Sequence, residues 1–225
     1  WIVPVEQAAR ALVDQTAVAG VSLLAEQHVA IERELAVLVA RRPGGEAVAY
    51  PVVETVQRDG ICHEVLAPAR IAPELSAEAE RLALRIASAV DVVGILAVEL
   101  FVVGEGLVVN EIATRPHNSG HFSIEGCQTS QFENHLRAIL DWPLGLTGLV
   151  APAAVMANVI AGPETRDLSA NLPAALEVPG VRVHLYGKAP RPARKVGHVT
   201  ALGEDLDAAR ERAKAAAAIL RGSQS

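Results

Sequence analysis

The chain has 225 residues, 51% of them hydrophobic, enough to bury a core in one or two domains. No apolar run reaches the roughly 20 residues a membrane helix needs, because Glu, Arg or Asp interrupts each candidate. A net charge of −6, with no basic stripe in the first 180 residues, argues against a generic nucleic-acid binder.

Aromatic residues make up only 3%, so the core must be built from Val, Leu, Ile and Ala. Helical spacing of Ala, Leu and Val predicts a helix from Pro4 to Gly20, with Pro4 in its first turn and Gly20 at its C-terminal cap. VSLLAEQHV (21–29) reads as a buried strand with a polar end. ERELAVLVARR (32–42) is a second strand, followed by a Pro43-Gly44-Gly45 turn and EAVAYPVVETV (46–56) as a third. RDGICHEVLAPA (58–69) is a fourth, entered through an Asp59-Gly60 turn. An amphipathic helix follows over Pro73–Val90, with Ser76 as its N-cap.

Two strands come next, GILAVELFV (94–102) and GLVVNEIAT (106–114), and then a loop over 115–128. Ser130 and Glu133 have capping-box spacing and start a helix over 131–140 that stops before Trp142-Pro143. Beyond Pro143 the pattern changes to short strands at 155–162, 181–188 and 195–203, a helix over 204–221, and a loose GSQS tail. Residues 1–150 therefore read as one α+β unit, and 151–225 as a small strand-rich domain with a terminal helix.

The sharpest constellation is AVELFVVGEGLVVNEIATRP (97–116). A three-residue turn at Gly104-Glu105-Gly106 sets Val103 against Leu107 and Glu99 against Glu111, with Cβ atoms about 5 Å apart. At that distance like charges repel by roughly 1 kcal/mol in water and about 3 kcal/mol at an effective dielectric near 20. A hard divalent cation relieves this best, which makes Glu99 and Glu111 candidate metal ligands. A two-residue turn would instead set Glu99 opposite Asn110. Asn110 adds a neutral oxygen only if the strand ends or twists there.

Three weaker signals flank the hairpin. Glu26 to Val29 could present backbone groups to a flat heterocycle, and Glu34 could accept ribose hydroxyls; an ordinary solvated strand end is the alternative. KAPRPARKVGH (188–198) gathers Lys188, Arg191, Arg194, Lys195 and His198 in an otherwise acidic chain, a density that suits a phosphomonoester or simply a solvated turn. Arg115, with the Pro116–His121 turn behind it, is a second possible anion site. Cys62 and Cys127 share no metal spacing and fit free thiols in a reducing cytosol.

NEIATRPHNSGH (110–121) resembles the N-E-x-x-x-R-x-H-N-S-G-H signature of N5-carboxyaminoimidazole ribonucleotide synthetases. QRDGICHEVLAPA, SQFENHLRAIL and YGKAPRPARKVGH resemble further segments of that family, in the same order. The resemblance implies a partial ATP-grasp fold followed by a small C-terminal domain, in a cytoplasmic, dimeric ligase of purine biosynthesis. The implied reaction joins ATP, bicarbonate and aminoimidazole ribonucleotide through carboxyphosphate, with Mg²⁺ or Mn²⁺ as cofactor and no nucleic-acid or membrane partner. Another ATP-grasp carboxylase or ligase, or an incomplete fragment that only binds nucleotide, are the alternative readings.

The resemblance also carries roles over. Glu26, Gln27, His28 and Val29 would line the adenine, with Glu34 on the ribose and Gln57 where the family often has a His. Glu99 and Glu111 would hold the metal, with Asn110 beside ATP. Arg115 and Asn118 would be catalytic and, with Ser119, face bicarbonate and nucleotide. Lys188, Arg191, Arg194 and Lys195 would include the grip on the ribose phosphate. Family members carry Gly-x-Gly-x-Trp where this chain opens on Trp1, so an α/β domain and a glycine-rich phosphate loop are expected upstream. On that expectation the 225-residue chain alone has little or no synthetase activity.

Overall fold

The computed structural model describes residues 2, 3 and 5–222, in two compact units, Trp1–Ile31 and Glu32–Ser225. Trp1, Pro4 and the last three residues of the expected tail lie outside the described residues. In the first unit, helix α1 spans Glu6–Val18. Gly20, at φ +66°, ends it: its N–H donates to the Ala17 carbonyl and that of Val21 to the Thr16 carbonyl. This pair of bonds is a Schellman cap, and it needs the left-handed backbone that glycine adopts freely.

The strand expected over 21–29 does not form; residues 21–30 are neither helix nor strand. A strand satisfies its backbone groups only by pairing, and no ladder among the described residues includes this segment. Its apolar residues are exposed instead, Val21 by 51% and Leu24 by 84%.

The second unit is built on one nine-stranded sheet, with every ladder antiparallel. The strands are β1 Arg33–Arg41, β2 Ala47–Ala49, β3 Val53–Arg58, β4 Ile61–Ala67, β5 Gly94–Val103, β6 Gly106–Ala113, β7 Ala153–Ile160, β8 Val181–Leu185 and β9 Lys195–Gly203. Their order is β6-β5-β1-β3-β4-β7-β9-β8, with β2 paired to β1. The single strand expected over 46–56 is split at Tyr50-Pro51, because proline cannot donate to a ladder. Asp59 and Gly60 form the expected two-residue turn, both at positive φ. Pairing of β4 with β7 carries the sheet across residue 150.

Alanine-lined helices cover the sheet. Helix α2, Pro73–Ala89, buries Ala79, Ala83 and Ala87 against Leu35, Val37, Leu96 and Val98. Its N-cap is Ala72 with Pro73 at the first position, so Ser76 lies inside the helix and caps nothing. The 115–128 loop is more ordered than its sequence suggests, with a 3-10 turn over Asn118–Gly120 and a short helix α3, Ser123–Gly126. Side-chain bonds within and just beyond the loop hold it: Ser123 Oγ donates to Gly120 O at 2.6 Å and accepts from the Gln131 N–H at 2.9 Å.

Helix α4, Gln131–Ile139, starts at Ser130, whose hydroxyl accepts from the Glu133 N–H. The return half of the capping box is replaced by a Glu133–Arg137 ion pair. Helix α5, Leu172–Leu176, has no counterpart in the sequence reading. Helix α6, Leu206–Arg221, is capped by Asp205 and packs Ala209, Ala213, Ala216, Ala217 and Leu220 on β7 and β9. Buried Glu64 ties β4 to α6 through Arg210 at 2.5 Å and also meets Arg58 at 3.1 Å.

Candidate functional site

The β5–β6 hairpin turns on two residues, Gly104 and Glu105, with Val103 opposite Gly106 and Gly104 at φ +58°. The three-residue turn expected from sequence is therefore corrected. From Val103 the ladder runs regularly to Leu100 opposite Val109 and then shifts at a bulge. Asn110 is the extra residue, and beyond it Glu99 does lie opposite Glu111. The cause is strand rigidity. β5 is bonded to β1 over all nine residues of β1, so the slack is taken up by β6, whose other edge has no strand partner among the described residues.

These residues open onto a cavity of about 440 Å³. Its lining includes Glu34 from β1, Gln57 from β3, Glu99 from β5, Asn110 and Glu111 from β6, Asn118 and Ser119 from the 3-10 turn, and Lys195 from β9. Eight of the residues singled out from sequence thus share one cavity. The others lie elsewhere. Arg115, Lys188 and Arg191 are exposed, and Arg194 bonds the Ala189 carbonyl; none of the four lines it. Glu26, Gln27, His28 and Val29 belong to the first unit, where Glu26 and His28 border an apolar cleft.

Three carboxylates and one ammonium line the cavity, an excess of negative charge. Burial holds the Glu99 carboxyl above its ordinary range, and the Glu111 and Glu34 carboxylates push it further up against the opposing Lys195. Burial likewise raises Glu34, with the Gln57 side chain opposing it. His117 joins the pair: ligand atoms of Glu99, Glu111 and His117 all lie within 4.8 Å of one another. His117 Nδ1 is 3.6 Å from Glu99 Oε1 and 2.9 Å from Ser119 Oγ. Burial, then Arg115, lowers its proton affinity, so near neutral pH its contact with Glu99 is not an ion pair. A neutral imidazole and two crowded carboxylates fit a hard or borderline divalent cation, which offsets the repulsion between the carboxylates.

An amide network stands beside this group. Asn118 and Asn158 exchange two hydrogen bonds, at 2.9 and 2.8 Å, and Lys195 Nζ donates to Asn118 Oδ1 at 2.9 Å. Sequence reasoning missed Asn158, Cys62 and Phe101, although a lone Asn in the apolar run AAVMANVI was a legible signal. It also missed a second cluster: His121, His184 and His198 lie ring to ring, His184 bonds Glu125 at 2.6 Å, and Lys188 lies 5.2 Å from the Tyr186 ring centre.

A family model described as ATP-grasp domain matches residues 1–132, and one described as phosphoribosylaminoimidazole carboxylase C-terminal domain matches residues 154–212. The N5-carboxyaminoimidazole ribonucleotide synthase of Mycobacterium tuberculosis is 54% identical over 203 residues, 88% of this chain and 47% of the relative. That of Corynebacterium ammoniagenes is 46% identical over 228 residues, 98% of this chain and 55% of the relative. Among solved structures, the Thermus thermophilus synthetase superposes with a TM-score of 0.82 at 44% identity, covering 96% of this chain and 57% of its own. An Aspergillus clavatus synthase in complex with ADP and 5-aminoimidazole ribonucleotide gives 0.80 at 37% identity, covering 87% and 53%. The chain spans about half the length of the curated relatives it matches. It belongs to the ATP-grasp family and, within it, is similar over most of its own length to the N5-carboxyaminoimidazole ribonucleotide synthases.

Proposed function

We propose that the chain supplies the metal and substrate half of an enzyme that carboxylates aminoimidazole ribonucleotide at the expense of ATP and bicarbonate. The observation that carries this reading is the cavity in which the Glu99–Glu111 pair stands beside the Asn118–Lys195 contact. Glu99 and Glu111, with His117 as third donor, would hold Mg²⁺ or Mn²⁺. When bound, such an ion offsets charge on phosphate oxygens and holds them in line.

The remaining work falls to positioning. A bicarbonate oxygen attacks the γ-phosphorus of ATP, ADP leaves, and carboxyphosphate forms. The exocyclic amine of the ribonucleotide then attacks the carboxyl carbon, phosphate leaves, and the amine gives up a proton. Glu34, Gln57 and Asn110 are assigned to ATP. Within the first unit, Glu26, Gln27, His28 and Val29 are assigned to adenine on the resemblance alone. Asn118 and Ser119 present polar groups to the reacting carboxyl, and Lys195 offers an ammonium to an anion. Arg115, Lys188, Arg191 and Arg194, at the surface of this chain, would reach substrate only from the loops that bear them.

Residues 1–150 and 151–225 are kept as two modules, in line with the division of the family models, although one sheet joins them. A homodimer is proposed for the whole enzyme; exposed Leu136, Ile139 and Leu140 on and beside α4, with Trp142, support it. A cytoplasmic location follows from the proposed pathway. No helix among the described residues is long and apolar enough to cross a membrane.

The test is ATP turnover by the full-length protein that carries this chain. It should require both bicarbonate and aminoimidazole ribonucleotide. Turnover supported equally by formate, or by biotin as acceptor, would reassign the chain to another ATP-grasp ligase. The 225-residue chain by itself should show little or no turnover.

A further inference from the structure

Strand β7 reads AAVMANVI, and Asn158 is its single polar residue, only 4% exposed. A buried amide is tolerated only when its hydrogen bonds are made. Asn158 makes three. Its Nδ2 donates to the Cys62 carbonyl at 3.0 Å and to Asn118 Oδ1 at 2.8 Å, and its Oδ1 accepts from Asn118 Nδ2 at 2.9 Å.

The bonds have a direction. The Cys62 carbonyl can only accept, so it requires the amino side of the Asn158 amide. With Asn158 fixed, the Asn118 amide fits one way round, oxygen toward Asn158 Nδ2 and nitrogen toward Asn158 Oδ1. That same Asn118 oxygen accepts from Lys195 Nζ. If Asn118 were reversed, its amino group would face the ammonium and the Asn158 amino group, two donor–donor conflicts. Orientation therefore passes from a main-chain carbonyl on β4, through β7 and the 3-10 turn, to an ammonium on β9.

We propose that Asn158 is a positioning residue for Lys195: by orienting the Asn118 amide it holds the ammonium at the cavity as an anion grip and away from the Glu99–Glu111 carboxylates. The proposal rests on the reading that Lys195 faces an anionic substrate. It goes beyond that reading by giving a role to a residue that lines no part of the cavity itself. Without the pair, Asn118 turns freely, and Lys195 is drawn toward Glu99, whose charge it already favours.

The experiment uses the full-length protein that carries this chain, with Asn158→Ala and the milder Asn158→Ser. Loss of one hydrogen bond to a charged group corresponds to about a tenfold change. The KM for aminoimidazole ribonucleotide should rise by about that factor, with the KM for MgATP unchanged. Adding Asn158→Ala to Lys195→Met should raise the ribonucleotide KM no further. Equal losses for both substrates, or a full multiplicative loss in the double variant, would overturn the proposal in favour of a merely structural Asn158. A second readout needs no activity: the side-chain amide protons of Asn118 should exchange slowly with solvent in the parent and quickly in either variant. Fast exchange in the parent refutes the amide pair outright. Failure of the functional reading shows differently, as absent ribonucleotide-dependent turnover in the parent with amide exchange still slow.

Discussion

Replacing Glu99 by Gln separates charge crowding from packing, because the two side chains are nearly isosteric. Glu99 and Glu111 are cross-strand partners with oxygens inside 4.8 Å. Two unit charges about 5 Å apart repel by about 3 kcal/mol at an effective dielectric near 20. Glu111 is exposed, and solvent screening reduces this to about 1 kcal/mol. Glu99→Gln should therefore stabilise the metal-free chain by about 1 kcal/mol, or roughly 2–4 °C in Tm for a chain of this size. With Mg²⁺ the order reverses. At ten times its Kd the ion stabilises the parent by about 1.4 kcal/mol, whereas the variant has lost a carboxylate ligand and gains little. The assay is thermal unfolding with and without Mg²⁺, under matched ionic strength so that screening is constant. A variant less stable than the parent without metal, or one that gains as much from Mg²⁺, would refute the reasoning.

Gly120→Ala should destabilise the 3-10 turn by about 1–3 kcal/mol, because its Cβ would sit 2.5 Å from Leu38 Cδ1 and 2.6 Å from Gln131 Oε1; urea unfolding measures this, and an unchanged midpoint counts against the packing described. Arg210→Leu should cost about 2–4 kcal/mol by leaving buried Glu64 with Arg58 alone. The double change Arg210→Leu with Glu64→Leu should recover much of that loss, and no recovery would mean that Arg210 acts through packing. Burial lowers His198 to about 3 and His121 to about 4, so both stay neutral in the fold, whereas in the unfolded chain they bind protons near pH 6.5. Stability from these groups is complete above about pH 6.5 and lost as pH falls toward 4 and 3. Between pH 7 and pH 5 the loss is about 2 kcal/mol for His198, and denaturant titration of the parent against His198→Phe should show a shallower pH slope in the variant.

Much of the architecture was legible because it follows from local rules. The alanines of α2 and α6 recur at helical spacing, Ser130 caps the helix it precedes, and Asp59-Gly60 makes a tight turn. The segment 21–29 has the apolar content of a strand without being one, since strand formation depends on a partner that no local pattern supplies.

The Glu99–Glu111 pair is the most instructive case. Sequence counting reached Glu99 opposite Glu111 through a turn one residue too long, and the bulge at Asn110 supplies the same residue elsewhere in the hairpin. Both routes give the same pairing, but only the folded sheet chooses between them, because the fully bonded β5 cannot yield and the free-edged β6 can. The Asn118–Asn158–Lys195 network lay further out of reach. Its members are separated by 40 and 77 residues, and hydrogen bonds of that span are set by how sheet and loops pack. By itself the sequence singled out candidate residues, eight of which the fold gathers at one cavity. Only the tertiary structure decided which of them share a cavity and which way each amide faces, since orientation is a property of partners in contact.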